Sequence, residues 1–354
     1  MKKFILRSLF YVSIPVLGGI LNTFFLQVNQ GDLVRLGKLY QNDLPRKNLE
    51  LESVRKYKTL NELNLTEENV FDVLTIGDSF SGFGNGYQNI LIDKGYKVVN
   101  YEHKLSSNPI QELISLMNSD FFDKIQTDFI VLESVQRHFN ERCSQLDFTK
   151  SVNIDSLFKT SWTERRTEKY LASYKFFSSA TLTAPLVNLA YLFVNKPPMF
   201  SDTYKFGLRD NSLFTLETSE LLIYKDDINH MKSKNNQTET IRSVNSLNII
   251  SESLAKKGVK LIVIVPPDKY DLYYDKIERE DQIIEPKFYL HYNSLSKDYI
   301  DVPVYSEFVL ALNQDVKNIY FYDDSHWSPV GQEIAAGMIS SFLNKPTNIF
   351  AGGF

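Results

Sequence analysis

The chain has 354 residues, which is enough for one large domain or two ordinary ones with a substantial core. Its 39 Lys and Arg residues nearly balance its 43 Asp and Glu residues, and no basic block would follow a phosphate backbone. The composition therefore gives no support for nucleic-acid binding. A single cysteine, Cys143, excludes an internal disulfide and a multi-cysteine metal site.

The N-terminus has the pattern of a membrane anchor. Lys2, Lys3 and Arg7 precede an uncharged run from Ser8 to Val28, and about 20 apolar residues cross a bilayer as a helix. No small-residue cleavage pattern of a signal peptide follows. Basic residues on this flank predict a cytoplasmic N-terminus, with the rest of the chain periplasmic or extracellular. A buried core helix is the alternative.

Residues 29–70 are polar and charged, which predicts a linker and a short peripheral helix. From Phe71 the pattern alternates between apolar strands and amphipathic helices. The predicted strands and helices of this part are Phe71–Ile76, Tyr87–Lys94, Lys97–Tyr101, Ile110–Phe122 and Asp128–Glu133. Such alternation on short connections predicts an α/β fold with a doubly wound parallel sheet.

The alternation stops over about 144–240, which we interpret as an insertion that packs on the core. Its predicted parts are a helical stretch Thr163–Val194, a hairpin from Leu213–Leu216 and Leu221–Tyr224, and a polar loop Lys232–Glu239. The α/β pattern then resumes to about residue 345. The predicted elements there are a helix Val244–Lys257, a strand Val259–Val265, a short strand Ile319–Tyr322 and a final helix Val330–Leu343.

Two short motifs carry chemistry. Gly77-Asp78-Ser79 follows the first predicted strand, and Asp323-Asp324-Ser325-His326-Trp327 lies near the C-terminus. A serine hydroxyl becomes a nucleophile when an imidazole takes its proton, and a carboxylate orients that imidazole. The motifs therefore predict acyl-transfer chemistry at Ser79. The alternative is that each motif is an ordinary polar turn or helix cap.

The parallel sheet brings further polar residues toward the same edge. Ser79 follows the first strand and Glu133 ends the third, so both are expected at the carboxyl ends of the strands, where such folds bind ligands. The five histidines have no H-x-H or H-x-x-x-H spacing, so neither a metal nor a cofactor is predicted. They are His103, His138, His230, His291 and His326.

With these motifs the chain resembles the SGNH (GDSL-type) hydrolase superfamily, and within it the SGNH-like proteins of bacterial exopolysaccharide and alginate O-acetylation. The resemblance implies Ser79 as nucleophile, His326 as base and Asp324 as its orienting acid. Asp323 is the alternative acid under the Asp-x-x-His spacing of the wider superfamily. Glu133 and Arg137 are similar to a Glu-x-x-x-Arg segment of the acetylation proteins, or form an ordinary ion pair.

The Gly-x-Asn-Asp block that SGNH hydrolases use for an oxyanion donor is absent. The candidate donors are the backbone N–H groups of Ser79 and Gly84 and the side chains of Asn108 and Arg137.

The resemblance implies a membrane-anchored, extracytoplasmic O-acyltransferase that acetylates a cell-envelope polysaccharide. It also implies an acyl donor supplied through a membrane-bound O-acyltransferase partner. An esterase or deacetylase with the same triad is the first alternative, since water and a sugar hydroxyl are equivalent nucleophiles for it. A non-catalytic glycan-binding or assembly protein is the second.

Overall fold

The computed structural model describes residues 2–25, 31–37, 55–63, 69–82, 86–102, 107–158, 201–278 and 284–343. The predicted helix Thr163–Val194 and the candidate donor Gly84 lie outside these ranges. The strands are β1 (Lys58–Thr59), β2 (Asn69–Ile76), β3 (Val98–Tyr101), β4 (Ile125–Glu133), β5 (Thr203–Gly207), β6 (Glu220–Tyr224), β7 (Lys260–Ile264) and β8 (Ile300–Val302).

The helices begin with α1 (Lys2–Phe25), α2 (Asp32–Gly37), α3 (Tyr87–Asp93), α4 (Pro109–Met117), α5 (Phe121–Lys124) and α6 (Gln136–Ser144). They continue with α7 (Lys225–Asn229), α8 (Met231–Lys234), α9 (Gln237–Ala255), α10 (Lys269–Tyr273), α11 (Phe288–Asn293), α12 (Val304–Asn313) and α13 (Pro329–Phe342).

Six strands form one sheet in the order β1-β3-β2-β4-β7-β8, and every neighbouring pair is parallel. The predicted parallel α/β sheet is confirmed. The chain proceeds outward from β2 to β3, then returns to the other side of β2 to form β4. The direction of winding therefore reverses between β2 and β4, and such a switch point leaves a crevice beyond the strands' carboxyl ends.

Helices cover both faces of the sheet. Along β2, Val73 belongs to one buried cluster, while Leu74 and Ile76 belong to a second. Successive side chains of a strand point to opposite faces, so a strand that is buried on both sides is apolar at nearly every position. This is why continuous apolar runs identified the central strands.

Local signals define several helix ends. The side chain of Asn108 accepts hydrogen bonds from two N–H groups of the first turn of α4. The hydroxyl of Ser328 caps α13 by accepting from the N–H of Val330, and Pro329 occupies the first position of that helix. Gly95 and Gly258, with φ of 91° and 77°, follow α3 and α9 in the left-handed conformation that favours glycine.

Three predicted elements are wrong. The hairpin of the insertion pairs β5 with β6, and the stretch Leu213–Leu216 forms turns in place of a strand, with Leu213 and Phe214 buried. The predicted loop Lys232–Glu239 is mostly helical, because α8 ends at Lys234 and α9 begins at Gln237. The predicted strand Ile319–Tyr322 is reduced to one bridge between Tyr320 and Trp327.

Part of the predicted linker, 29–70, is packed against the sheet domain. Leu33 and Val34 of α2 are fully buried, and β1 extends the sheet beyond β3. The packed unit therefore includes residues that precede the predicted start at residue 71.

The predicted membrane anchor over 1–28 is not supported. Residues Lys2–Phe25 do form a helix, α1, with exposed apolar side chains such as Phe10 and Tyr11. Among the described residues, however, no helix combines the length and apolar character that crossing a bilayer requires.

Candidate active site

Ser79 lies in a tight turn directly after β2. The turn is a single 3-10 helix, Ser79–Ser81, and Asp78 caps it: Oδ1 of Asp78 accepts from the N–H of Phe80 at 3.1 Å. The other carboxylate oxygen of Asp78 accepts from the N–H of Val135 at 3.0 Å and from Arg142 at 2.6 Å. Asp78 thus ties the serine turn to the segment that follows β4, next to the switch point.

Asp78 is ionised, and its carboxylate holds the serine turn in place through these hydrogen bonds. Burial alone would raise its pKa, but the Arg142 charge and the N–H donors lower that pKa to about 2.

Glu133, at the end of β4, holds the serine turn through two hydrogen bonds. Its Oε2 accepts from the N–H of Asp78 at 2.9 Å and from the hydroxyl of Ser81 at 3.1 Å. A Cβ atom at position 77 would lie 2.5 Å from the same oxygen, so only glycine fits there. Complete burial and the charge of Asp78 raise the pKa of Glu133 well above its ordinary value. Glu133 therefore keeps its proton to a higher pH than an exposed glutamate does.

The raised pKa of Glu133 predicts how the free energy of unfolding changes with pH. Above pH 4.5, the ordinary pKa of a glutamate, Glu133 has lost its proton in the unfolded chain but keeps it in the folded chain. Its contribution to the free energy of unfolding therefore falls as pH rises, by up to about 1.4 kcal/mol per pH unit. Glu133→Gln does not titrate and keeps an acceptor oxygen. In urea unfolding, we expect its stability relative to wild type to increase as the pH rises from 5 upward.

The exposed Glu252→Gln is the matched control for the loss of one carboxylate, and its stability difference should stay constant over that range. Parallel stability curves for Glu133→Gln and wild type would show that Glu133 is ionised in the folded protein.

The predicted acid and base, Asp324 and His326, lie on the loop between α12 and α13. His326 Nε2 is 2.7 Å from the Oγ of Ser79, and His326 Nδ1 is 2.5 Å from Oδ1 of Asp324. The backbone N–H of His326 also donates to that oxygen at 3.1 Å. With the ring proton on Nδ1, His326 donates to Asp324, and its Nε2 accepts from the Ser79 hydroxyl.

Aromatic packing fixes this loop against the serine turn. Trp327 is fully buried, and its indole N–H donates to the carbonyl of Phe80 at 3.2 Å. The ring of Phe80 lies 4.7 Å from the imidazole of His326 and 5.3 Å from Trp327, between ring centroids. Phe80 and Trp327, which follow Ser79 and His326 in sequence, therefore pack against each other and hold Ser79 and His326 in place relative to one another.

A buried lysine also holds the acid–base loop. The ammonium of Lys269, at the start of α10, donates to the carbonyls of Phe321, Tyr322 and Asp324 at 2.8, 2.7 and 3.2 Å. Burial lowers its pKa to about 8, although the nearby Asp323 and Asp324 favour the charged form. Three carbonyls that converge on one ammonium fix the curvature of the loop. Lys269 was not among the residues predicted from the sequence.

The segment that begins α2 contacts the same loop. The carboxylate of Asp32 accepts from the N–H of Ser325 at 2.7 Å and from its hydroxyl at 2.5 Å, and lies 3.6 Å from Nδ1 of His326. The N–H of Asp32 donates to Oδ2 of Asp324 at 3.2 Å. Asp32 is a positioning residue that sequence motifs could not identify, because the contact joins residues 293 positions apart.

Asp323 serves the same docking contact. Its Oδ2 accepts from the N–H of Gly31 at 2.8 Å, and its carbonyl accepts from the N–H of Leu33 at 3.1 Å. A Cβ atom at position 31 would lie 2.1 Å from that carbonyl oxygen, so the close approach requires glycine. Of the two candidate acids, Asp324 is the one that the structure places against Nδ1 of His326.

We expect the Asp32 contact to matter for rate. Asp32→Ala leaves the N–H and hydroxyl of Ser325 without this acceptor and loosens the loop, so kcat should fall about 10- to 100-fold. Asp32→Asn keeps one acceptor oxygen and should lose less. The measurement is steady-state hydrolysis of an activated acetyl ester, with the exposed Asp128→Asn as the control. An unchanged kcat in Asp32→Ala would contradict the positioning role.

Two predicted oxyanion candidates have other partners. Asn108 caps α4 with its oxygen, and its amide donates to the carbonyl of Arg142 at 3.0 Å. Arg137 is buried and donates to Asp227 at 3.3 Å and Asp268 at 3.0 Å, so its described ion pairs are with these carboxylates and not with Glu133. Both side chains have a structural role in these contacts.

Residues 221–351 match the family model described as "SGNH hydrolase-like domain, acetyltransferase AlgX". The resemblance predicted from the motifs is confirmed. The stretch matched to this SGNH-like domain contains Asp324 and His326 and begins after Ser79. No curated protein and no solved structure matches the chain.

Proposed function

We propose that this protein is an SGNH-like O-acyltransferase that acetylates a cell-envelope polysaccharide through Ser79, His326 and Asp324. One observation carries the proposal: a continuous series of hydrogen bonds runs from the Ser79 hydroxyl through the imidazole to the Asp324 carboxylate. It lies beyond the carboxyl ends of the strands, where β2 and β4 form the switch point. The match to an acetyltransferase domain supports acyl transfer as the reaction class.

The proposed reaction has two halves. In the first, Nε2 of His326 takes the Ser79 proton while Oγ forms a bond to the acyl carbon of the donor. The carbon–oxygen bond to the leaving group then breaks, and His326 returns the proton to that leaving oxygen. In the second half, His326 takes the proton of a sugar hydroxyl, whose oxygen attacks the acyl-enzyme, and Ser79 leaves with that proton. The Asp324 carboxylate stabilises the imidazolium in both halves.

The oxyanion of each tetrahedral intermediate needs a donor. The backbone N–H of Ser79 is our candidate, since it begins the turn that presents Oγ.

The localisation of the domain and the source of its acyl group are also part of our proposal. We place the domain outside the cytoplasm, with an acyl donor that is supplied through a membrane-bound O-acyltransferase. Both rest on the likeness to exopolysaccharide O-acetylation proteins.

An acceptor assay tests the function. The purified chain is incubated with an activated acetyl ester and a panel of polysaccharide-derived oligosaccharides. The masses of the oligosaccharides are then measured by mass spectrometry. We expect an acetylated oligosaccharide with wild type and none with Ser79→Ala. Release of acetate at the same rate with and without every acceptor would favour the esterase. Absence of both products would favour the glycan-binding protein.

A further inference from the structure

A second cluster of reactive side chains lies on α6. His138 and Glu141 are one helical turn apart, and Nδ1 of His138 is 3.7 Å from a carboxylate oxygen of Glu141. His230, from the junction of α7 and α8, faces them, with its ring centroid 5.2 Å from that of His138. One ligand atom from each of the three residues lies within 4.8 Å of the other two.

One nitrogen of this cluster lacks a partner. Nδ1 of His230 is buried from solvent and has no hydrogen-bond partner within the described part of the chain. An unpaired buried polar atom is costly, and a bound cation would satisfy it.

The nearby positive charges are already neutralised. Arg137 pairs with Asp227 and Asp268 at 3.3 and 3.0 Å, and Arg142 pairs with Asp78 at 2.6 Å. The guanidinium groups therefore repel a further cation much less than two unpaired arginines would.

We propose that His138, Glu141 and His230 bind one Zn²⁺ ion. Two imidazole nitrogens and one carboxylate oxygen are donors that zinc prefers, and three protein ligands leave a fourth position for solvent. The side chain of Glu141 is 53% exposed, which provides an entry path for the ion.

The zinc ion would join α6 to the α7–α8 junction. Arg142, the residue after Glu141 on α6, donates to the Asp78 carboxylate that caps the serine turn. The metal therefore braces the helix that supports the turn carrying Ser79, and it takes no part in the acyl transfer itself. The sequence patterns for zinc missed this site because the third ligand comes from a separate element.

Zinc titration of the full chain, without a polyhistidine tag, tests the proposal. The chain is stripped with a chelator, dialysed and titrated with zinc chloride by calorimetry. We expect one Zn²⁺ per chain, with affinity about 100-fold or more lower in His138→Ala and His230→Ala. Glu141→Gln alters an exposed side chain and should fold, and we expect about a 10-fold loss. His291→Ala, outside the cluster, is the control and should bind like wild type.

The melting temperature is a second measurement on the same proteins. Zinc should raise the melting temperature of wild type and His291→Ala, and raise it less in Glu141→Gln at the same concentration. Absence of zinc binding to wild type would overturn the proposal. Equal binding by wild type, His138→Ala and His230→Ala would also overturn it.

Discussion

Asp324→Asn is expected to lower kcat for acyl transfer by about four orders of magnitude, as loss of the orienting carboxylate does in serine triads. Oδ1 of Asp324 accepts a hydrogen bond from the Nδ1–H of His326, so the lone pair of Nε2 accepts from the Ser79 hydroxyl. An amide at position 324 can present its NH₂ group to Nδ1. The ring then carries its proton on Nε2 and no longer accepts from the serine.

Asp323→Asn is the matched control for this change. It alters the neighbouring carboxylate, whose oxygen accepts from the backbone of Gly31, and an asparagine oxygen can still accept there. We expect kcat within about 10-fold of wild type, because the chemistry does not pass through this side chain. A silent Asp324→Asn beside an inactive Asp323→Asn would show that the acid is assigned to the wrong residue.

Ser79→Ala is expected to have the largest effect, a loss of about six orders of magnitude in kcat, since no oxygen remains to form the acyl-enzyme. The double variant Ser79→Ala/His326→Ala should be no less active than Ser79→Ala alone, because the two residues act as one unit. Initial rates with an activated acetyl ester measure both.

Ser81→Ala separates the loss of the nucleophile from damage to the turn. Ser81 lies two residues after Ser79 in the same turn. Its hydroxyl donates to Glu133 at 3.1 Å and shares a hydrogen bond with the hydroxyl of Tyr87 at 3.0 Å. Its loss removes two buried hydrogen bonds, so we expect a lower stability with most of the activity kept. Full activity in Ser79→Ala would contradict the covalent mechanism.

Local patterns predicted the sheet, and they singled out Ser79, Asp324 and His326, which the structure brings into contact at the candidate site. The strands β2, β4 and β7 are apolar on both faces, and parallel strands bring the residues just beyond their carboxyl ends to one edge of the sheet. Ser79 lies just beyond the end of β2, while Asp324 and His326 share a short motif, so each could be found from neighbours in sequence.

Residues that act across the fold could not be predicted in this way. Asp32 and Lys269 contact the acid–base loop from distant parts of the chain, and neither lies in a recognisable motif. The strand that was wrongly predicted at Leu213–Leu216 shows how a local pattern can also mislead. Its apolar side chains are buried against the core without strand pairing, and burial alone produces the same pattern as a strand.

The most direct test of the account is detection of an acyl-enzyme on Ser79. The full chain is mixed with an activated acetyl ester in the absence of acceptor, quenched in acid, digested and analysed by mass spectrometry. The account predicts one acetyl group on the peptide that contains Gly77 to Gly82, present in wild type and absent from Ser79→Ala. An acetyl group that appears on other peptides only, or on none while the wild type turns over, would contradict Ser79 as the nucleophile.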